Sequence, residues 1–216
     1  MSTRSTVSYR YILVMLAMLL LVAGCGNKQD TVTVTDSKSG SASKVFHWER
    51  MPEMSIDLNK TYRAKVATDK GEFVISLDAK NTPMTVNNFV FLAREGFYGG
   101  LKFHSVIESY MIQTGDPKGN GTGNAGYYIP DELDAEASYD IGTVAMFNTG
   151  SPNSGSSQFF ICTGEEALNL NRQPNYTIFG KVTEGMNVVR EIAASPVKNG
   201  VPVDPIVINT ITIEES

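Results

Sequence analysis

Residues 103–123 read FHSVIESYMIQTGDPKGNGTG, and residues 145–164 read AMFNTGSPNSGSSQFFICTG. Both stretches contain short apolar and β-branched runs bounded by Gly, Asn or Asp, which is typical of short strands. Each stretch also holds one glutamine, Gln113 or Gln158, among apolar neighbours. A buried amide needs hydrogen-bond partners. Each glutamine therefore either ties strands together or faces a ligand.

The chain before these stretches predicts a β-hairpin followed by a helix. Polar and apolar residues alternate in residues 62–67 and again in residues 72–77, with the turn signal Asp-Lys-Gly between them. Pro83 stands at the first position of a helical pattern, and an apolar stripe at helical spacing follows it. We therefore expect a hairpin and then an amphipathic helix over residues 83–95.

The rest of the chain predicts mostly short strands. A second helix is expected over residues 186–194, because Val188, Val189 and Ile192 form an apolar stripe. Many short strands with two helices indicate a mainly β fold, a closed barrel capped by helices. The expected strands, besides the hairpin, are residues 101–107, 111–114, 143–147, 158–162, 176–182 and 205–213.

One long segment between strands is rich in glycine. Residues 117–127 read PKGNGTGNAGY and hold four glycines. A glycine-rich loop can cradle a phosphate, but this one lacks the GxxxxGK[ST] pattern and does not open a helix. We therefore interpret it as a long surface loop over the barrel.

Composition and charge exclude several classes of protein. The chain has 216 residues, of which 42% are hydrophobic and 19% charged, the mix of an ordinary globular protein. Its net charge of −5 argues against a nucleic-acid partner. Two cysteines, Cys25 and Cys162, cannot form a disulfide framework, and the two histidines, His47 and His104, are too few for a histidine-based zinc site.

The beginning of the chain has the pattern of a secretion signal. Arg4 and Arg10 precede an apolar run of 13 residues, and a spanning helix needs about 20. Small residues and then Cys25 follow the run, which resembles the lipobox of bacterial lipoproteins. That resemblance implies a lipid on Cys25 and cleavage before it, so residues 1–24 would be the signal peptide. An uncleaved short anchor with an incidental cysteine is the alternative.

The residues after Cys25 are predicted to form a tether. Residues 26–44 contain no aromatic residue and are rich in Ser, Thr, Lys and Asp, so they bury too little apolar surface to fold. A flexible coil of this length spans about 25 Å. We expect a tether over residues 25–44, a folded domain over residues 45–216, and a lipid-anchored extracytoplasmic location at the cell membrane.

Two further stretches complete a pattern that resembles the cyclophilin-type peptidyl-prolyl isomerases. They are TPMTVNNFVFLAREGFYGG at residues 82–100 and YTIFGKVTEGMNVV at residues 176–189. Together with the two stretches quoted first, they follow the family's order and cover nearly the whole predicted domain. MIQTGDP and SQFFI are the most specific signals. The resemblance implies a closed eight-stranded antiparallel barrel capped by two α-helices, with a peptide groove on its outer surface.

The chemistry of such a groove is the rotation of an X–Pro peptide bond. Unaided, this bond interconverts over tens to hundreds of seconds. An enzyme accelerates it by binding the twisted form better than either planar form. Three parts suffice: an apolar pocket for the proline ring, hydrogen bonds to the flanking backbone, and a donor for the charge that localises as the bond twists. We expect neither a metal nor a cofactor.

The resemblance implies a role for each matched position. Gln113 and Asn148 would hydrogen-bond the substrate backbone. On residue type alone, Met and Phe are mostly core residues, and His104 would be a hydrogen-bonded structural histidine rather than an acid or base. The implied proline pocket consists of Tyr110, Met111, Phe160 and Leu170, and the positions beside the groove are His104, Phe147, Gln158 and Tyr176.

The sequence departs from the family at the charge donor. Ser105 stands where active members have arginine, the family's principal catalytic donor. Serine is short and neutral, and losing one preorganised donor costs about 10²–10³ in rate. Arg172 follows Leu170 in the sequence, but no spacing argument places it at the groove. Asn169 takes the position often held by tryptophan, so we expect weak cyclosporin binding.

Two functions from different classes follow. The first is a membrane-tethered isomerase that assists folding and acts on proline-containing segments of secreted or envelope proteins, with low activity because of Ser105. The second is a catalytically weak proline-peptide binding or chaperone module. An inert structural domain is disfavoured, because the pocket aromatics and both amides persist. We expect a monomer.

Overall fold

The computed structural model describes residues 46–134, 136 and 138–216. The predicted signal peptide, Cys25 and the predicted tether over residues 26–44 lie outside these residues. In the described part of the chain, no helix is both long and apolar enough to cross a membrane.

The observed elements follow the predicted order. The helices are α1 Pro83–Arg94, a 3-10 helix Glu165–Arg172, and α2 Met186–Ala193. The strands are β1 Tyr62–Thr68, β2 Gly71–Leu77, β3 Ser105–Ile107, β4 Met111–Thr114, β5 Thr143–Met146, β6 Phe159–Cys162, β7 Ile178–Glu184, β8 Val197–Lys198, β9 Val201–Pro202 and β10 Ile208–Glu215.

Eight of these strands form one curled antiparallel sheet. Their order is β10-β1-β2-β7-β5-β6-β4-β3, and β8 pairs with β9 in a separate hairpin. The mainly β architecture with eight antiparallel strands and two α-helices is confirmed. Strands adjacent in the sheet are often distant in sequence, so the sheet gathers both sequence stretches quoted at the outset onto β3 to β6.

The predicted eight-stranded architecture is confirmed, but the barrel is not strictly closed, because the ladder of backbone hydrogen bonds does not run all the way round. The segments that precede the edge strands β3 and β10 are joined by an isolated bridge between Lys102 and Val207. Neighbouring backbone bonds, such as Phe103 N–H to Ile206 O at 3.0 Å, add to it without forming a ladder. The sheet is therefore a curled, incompletely closed half-barrel.

The inner face of the sheet and α1 form the main core. Side chains alternate between the faces of a strand, and β1 alternates buried and half-buried residues along its length. The ring of Phe89 on α1 lies 5.4 Å from that of Phe159 and 5.3 Å from that of Phe179. Helix α1 thus packs with its apolar stripe on the inner face of the sheet, as the sequence pattern predicts.

The start of α1 is held by a distant carboxylate. Glu132 accepts hydrogen bonds from the backbone N–H groups of Met84 and Thr85, at 3.0 and 2.8 Å. These are two of the N–H groups that a helix N-terminus leaves unpaired, and an anion is favoured there. The helix ends before Gly96, whose φ of 74° is the left-handed conformation common after helices.

Several local features differ from the predictions. The strand expected over residues 101–107 is only β3, and β7 begins two residues later than expected. The hairpin of β8 and β9 turns at Asn199 and Gly200, both with positive φ, and was not predicted. The 3-10 helix Glu165–Arg172 was not predicted either.

Candidate functional site

The predicted site residues on β3, β4 and β6 lie on the outer face of the sheet. Ser105 pairs with Gln113, and Gln113 pairs with Phe160, so these three residues form one row across three strands. Their neighbours Ile112 and Ile161 face the other way and are fully buried in the main core. The strand alternation therefore places the candidate residues on the side of the sheet that the core does not use.

A second apolar cluster covers this outer face. Its centre is Phe160, whose ring lies edge-on to Tyr176 at 5.2 Å, while Phe147 stacks on Tyr176 at 6.3 Å. The cluster brings together all six apolar or aromatic residues predicted for the pocket and its surroundings. These are Tyr110, Met111, Phe147, Phe160, Leu170 and Tyr176. All but Phe160 are only partly buried, so the cluster offers apolar surface to a ligand.

Tyr139 supports this cluster and was not predicted. It is 1% exposed, and its hydroxyl donates to Tyr176 O at 2.7 Å and accepts from Tyr176 N–H at 3.0 Å. Burial raises the pKa of Tyr139, so the hydroxyl stays protonated and can do both. It fixes the backbone that carries the Tyr176 ring. Tyr139 sits in a polar stretch of sequence, which gave no signal of this role.

The two glutamines form a directed pair. Gln158 Nε2 donates to the carbonyls of Gly121 and Gly123, at 3.1 and 2.8 Å. Its oxygen must then face the other way, where it accepts from Gln113 Nε2 at 2.8 Å. The amide oxygen of Gln113 receives no hydrogen bond from any described residue. The network therefore turns an acceptor of Gln113 toward the outer face, where a peptide N–H could reach it.

The glycine-rich loop folds around one carboxylate. The Asp116 carboxylate accepts hydrogen bonds from the backbone N–H groups of Lys118, Asn120 and Gly121, at 2.7, 2.9 and 2.5 Å. Burial would raise the pKa of Asp116, but these hydrogen bonds outweigh it and the pKa is lowered. A Cβ at Gly123 would lie 2.0 Å from Asp116 Oδ1, so this position requires glycine. The loop is thus an ordered structure that presents carbonyls to Gln158.

His104 lies under this loop in a buried position. It is 7% exposed, and neither ring nitrogen makes a well-formed hydrogen bond within the described residues. Burial is the largest influence and lowers the pKa of His104 from 6.5, while the nearby Asp116 carboxylate opposes the shift. The imidazole is therefore neutral at neutral pH.

The Asn148 side chain makes two hydrogen bonds within the protein. Its Nδ2 donates to Asn175 O at 2.7 Å, and its Oδ1 accepts from Gly150 N–H at 3.0 Å. These bonds occupy one N–H and one lone pair of the Asn148 amide, which leaves the other N–H, the other lone pair and the main chain for a peptide. The side chain also ties the end of β5 to the segment that leads into Tyr176.

Among the described residues, no cationic side chain forms a hydrogen bond with Ser105. Ser105 is half-buried on β3, opposite Gln113. Arg172 is exposed at the end of the 3-10 helix, and no hydrogen bond or ion pair among the described residues joins it to Ser105.

Cys162, on the same outer face as Phe160, is fully buried, and burial raises its pKa to about 12. The thiol is therefore not a reactive group at this face.

A small pocket adjoins the cluster. It encloses about 60 Å³ between the glycine-rich loop and Phe147, and Gln158 forms part of its wall. Phe147 therefore contacts the apolar cluster on one side and this pocket on the other. The outer face thus contains an apolar cluster and a small pocket beside it, and Phe147 belongs to both.

Comparison with known proteins agrees with this geometry. Residues 63–213 match the family model of the cyclophilin type peptidyl-prolyl cis-trans isomerase/CLD. Peptidyl-prolyl cis-trans isomerase A of Mycobacterium tuberculosis is 40% identical over 172 residues, covering 71% of this chain and 92% of the relative.

Solved structures give the same result. The crystal structure of a Cryptosporidium parvum cyclophilin type peptidyl-prolyl cis-trans isomerase superposes with a TM-score of 0.67 at 32% identity, covering 71% of this chain and 98% of the other. A crystal structure of that protein in the presence of the dipeptide Ala-Pro gives a TM-score of 0.66 at 32% identity, with 70% and 98% covered.

Proposed function

This chain belongs to the cyclophilin-type peptidyl-prolyl cis-trans isomerase family, and from that premise we propose how its outer face acts and where the protein works. The groove is the outer-face cluster around Phe160 together with the row Ser105, Gln113 and Phe160. It binds a proline-containing segment of a secreted or envelope protein. The protein performs this function outside the cytoplasm, tethered to the membrane through Cys25.

One observation carries the proposal: a second apolar cluster on the outer face of a sheet whose inner face already has a core. The proline ring packs against Phe160, Met111, Tyr110 and Leu170. Tyr139 holds the Tyr176 backbone of this cluster in place through two hydrogen bonds. A rigid apolar site binds a proline ring with little loss of side-chain freedom.

The hydrogen bonds to the peptide come from the edge of this cluster. Gln113 offers its amide oxygen to a peptide N–H, in the orientation that Gln158 imposes. The main chain of Asn148 offers a second contact on the far side. Together they hold the backbone on both sides of the proline, so that rotation takes place about the one bond between them.

The charge donor is the weak part of the mechanism. As the amide twists, its resonance is lost and electron density returns to the nitrogen, where a cation would stabilise it. Ser105 carries no charge and is too short to cross the groove. The protein therefore accelerates isomerisation mainly through positioning and desolvation, at a rate about 10²–10³ below that of a member with the arginine.

The experiment is exchange spectroscopy by NMR on a proline-containing peptide with the purified full-length protein. We expect saturable binding and cis/trans exchange faster than in the peptide alone. A Gln113→Ala variant should weaken binding by about tenfold, since it removes a backbone contact made in both the ground state and the transition state. Binding with exchange equal to the peptide-only control would instead establish the binding module.

That second candidate rests on one specific observation, the serine at position 105 opposite Gln113. The same groove would then hold proline peptides without rotating them. Measuring exchange and binding on the same sample separates the two functions, because the first requires both and the second requires binding alone.

The membrane location is tested through the two cysteines. Cys25→Ser should release the protein from the membrane fraction or leave it unprocessed, because the lipid would be lost and about 13 apolar residues are too few for a stable span. Cys162→Ser is the matched control and should stay in the membrane fraction, since Cys162 is buried in the folded domain. Unchanged size and membrane retention of Cys25→Ser would refute lipidation.

A further inference from the structure

Residues 46–56, which we call the N-terminal strap, precede the region that matches the family model and pack onto the domain. The strap is fastened to α1: Asn87 accepts from Ser55 N–H at 2.8 Å and donates to Glu53 O at 3.0 Å. The ring of Trp48 packs edge-on against Phe91 of α1 at 5.3 Å. The strap is therefore part of the folded domain, although the family pattern does not include it.

The strap also touches the far end of the glycine-rich loop. Trp48 N–H donates to Ala125 O at 3.0 Å. At Gly126 a Cβ would lie 2.3 Å from Trp48 O and 2.8 Å from the His47 ring, and its φ is +106°. This approach is possible only because residue 126 is glycine. The strap and the loop are therefore fitted to each other over residues 125 and 126.

The contact continues from the loop into the groove. Ala125 N–H donates to the Ser156 hydroxyl at 3.1 Å. Two residues before Ala125, Gly123 O accepts from Gln158, and Gln158 in turn accepts from Gln113. A short path of hydrogen bonds and one loop segment thus links Trp48 to the amide that faces the peptide.

We propose that Trp48 is a positioning residue for the peptide groove, acting through the glycine-rich loop and Gln158 on Gln113. This inference rests on the proposed function, since it assumes that Gln113 holds the peptide backbone. The partner remains a proline-containing peptide, and the new element is the part of the chain that keeps its binding site in shape.

The physical reason lies in the flexibility of the loop. Glycines lose more conformational freedom on ordering than other residues, and four of them lie in residues 117–127. Asp116 orders the beginning of the loop, and the strap orders its end. The Trp48 ring supplies the energy by packing against Phe46, Phe91 and Phe97. Without it, the loop carbonyls would orient Gln158 less well, and peptide binding would have to restore that order.

The test uses the full-length protein with Trp48→Ala, Trp48→Phe and the control Met54→Ala. Met54 lies on the strap but is 52% exposed and away from the loop contacts. We expect Trp48→Ala to raise KM for a proline peptide by about three- to tenfold with kcat changed less than about twofold, because a ground-state contact is weakened. Trp48→Phe should restore most of the affinity, and Met54→Ala should match the wild type.

A second measurement covers the case in which Trp48→Ala fails to fold. Trp48 is the only tryptophan of the chain, so its fluorescence reports on the strap in the wild-type protein. Coupling between two sites is reciprocal, so peptide binding should change the Trp48 emission with the same midpoint as binding itself. Unchanged emission at saturating peptide would overturn the inference.

The remaining outcomes separate this inference from the proposed function. A folded Trp48→Ala variant with a lower melting temperature and unchanged KM would make the strap merely structural and overturn the inference alone. A wild-type protein that neither binds nor isomerises the peptide would overturn the proposed function, and the inference with it.

Discussion

Phe159 and Phe160 are neighbours on β6, yet they belong to different apolar clusters on opposite faces of the sheet. Phe159 is fully buried among the rings of Phe89, Tyr98 and Phe179. Phe160 packs with residues that remain partly exposed, beside the amides of Gln113 and Gln158. The inner cluster is the larger of the two and consists mostly of buried residues, whereas more than half of the outer cluster is only partly buried.

This difference separates the requirements of folding from those of binding. An antiparallel sheet needs only one buried face and tolerates water on the other. The inner cluster satisfies that requirement, so the aromatic and amide residues of the outer face are not needed to complete the core. The aromatic and amide residues of the outer face are therefore available for binding.

Replacing each phenylalanine in turn should give the largest effect and the sharpest separation. Phe159→Ala should lower the free energy of unfolding by about 3–5 kcal/mol, because it opens a cavity in a closed core. Phe160→Ala should lower the free energy of unfolding by less than Phe159→Ala does. It should weaken binding of a proline peptide by about tenfold or more, since it removes the ring at the centre of the outer apolar cluster. Denaturant unfolding and peptide titration measure the two quantities. Equal effects of both variants on binding would contradict the division between the faces.

Restoring the family's charge donor tests the outer face alone. Ser105→Arg should raise kcat/KM by at least about tenfold, because a preorganised cation stabilises the twisted amide. The variant should fold, since Ser105 is half-buried on a short edge strand. Ser105→Gln is the control for length without charge and should give little gain. If Ser105→Arg gives none either, the groove has diverged from the family in its geometry as well.

The smallest effect concerns His104, which is buried under the glycine-rich loop. Burial lowers its pKa below 6.5, so the unfolded chain binds more protons than the folded protein as pH falls below that value. The stability that the neutral His104 contributes to the folded protein is fully present above pH 6.5 and is lost as the pH falls. The free energy of unfolding then changes by at most about 1.4 kcal/mol per pH unit. His104→Gln should flatten this part of the stability curve. Parallel curves for wild type and His104→Gln would contradict the assignment.

The sequence predicted the regular elements well, because their signals are local. Residues 111–114 were expected as a strand and form β4, and Pro83 with its apolar stripe predicted α1 to within one residue. The family resemblance assigned Gln113 and Phe160 to the groove, whereas the pairing that places them in one row on β4 and β6 is seen only in the structure. The Asn199-Gly200 pair is a hairpin signal that could have located β8 and β9.

Other features depend on contacts between distant segments, which no local pattern records. The incomplete closure depends on how residues 100–104 meet residues 205–208. Tyr139 lies in a polar stretch and gains its role only through Tyr176. The orientation of Gln113 is set by carbonyls of the glycine-rich loop, and the strap reaches that loop from 77 residues earlier, between Trp48 and Ala125.

The central claim is that a proline peptide binds on the outer face of β3 to β6. The most direct test is NMR chemical-shift mapping of the ¹⁵N-labelled full-length protein during titration with a proline-containing peptide. We predict that the largest chemical-shift changes fall at Gln113, Phe160, Tyr110 and the Asn148 main chain. The residues of α1 that pack on the main core should change little. Saturable shifts confined to residues away from this face, with Gln113 and Phe160 unmoved, would contradict the claim.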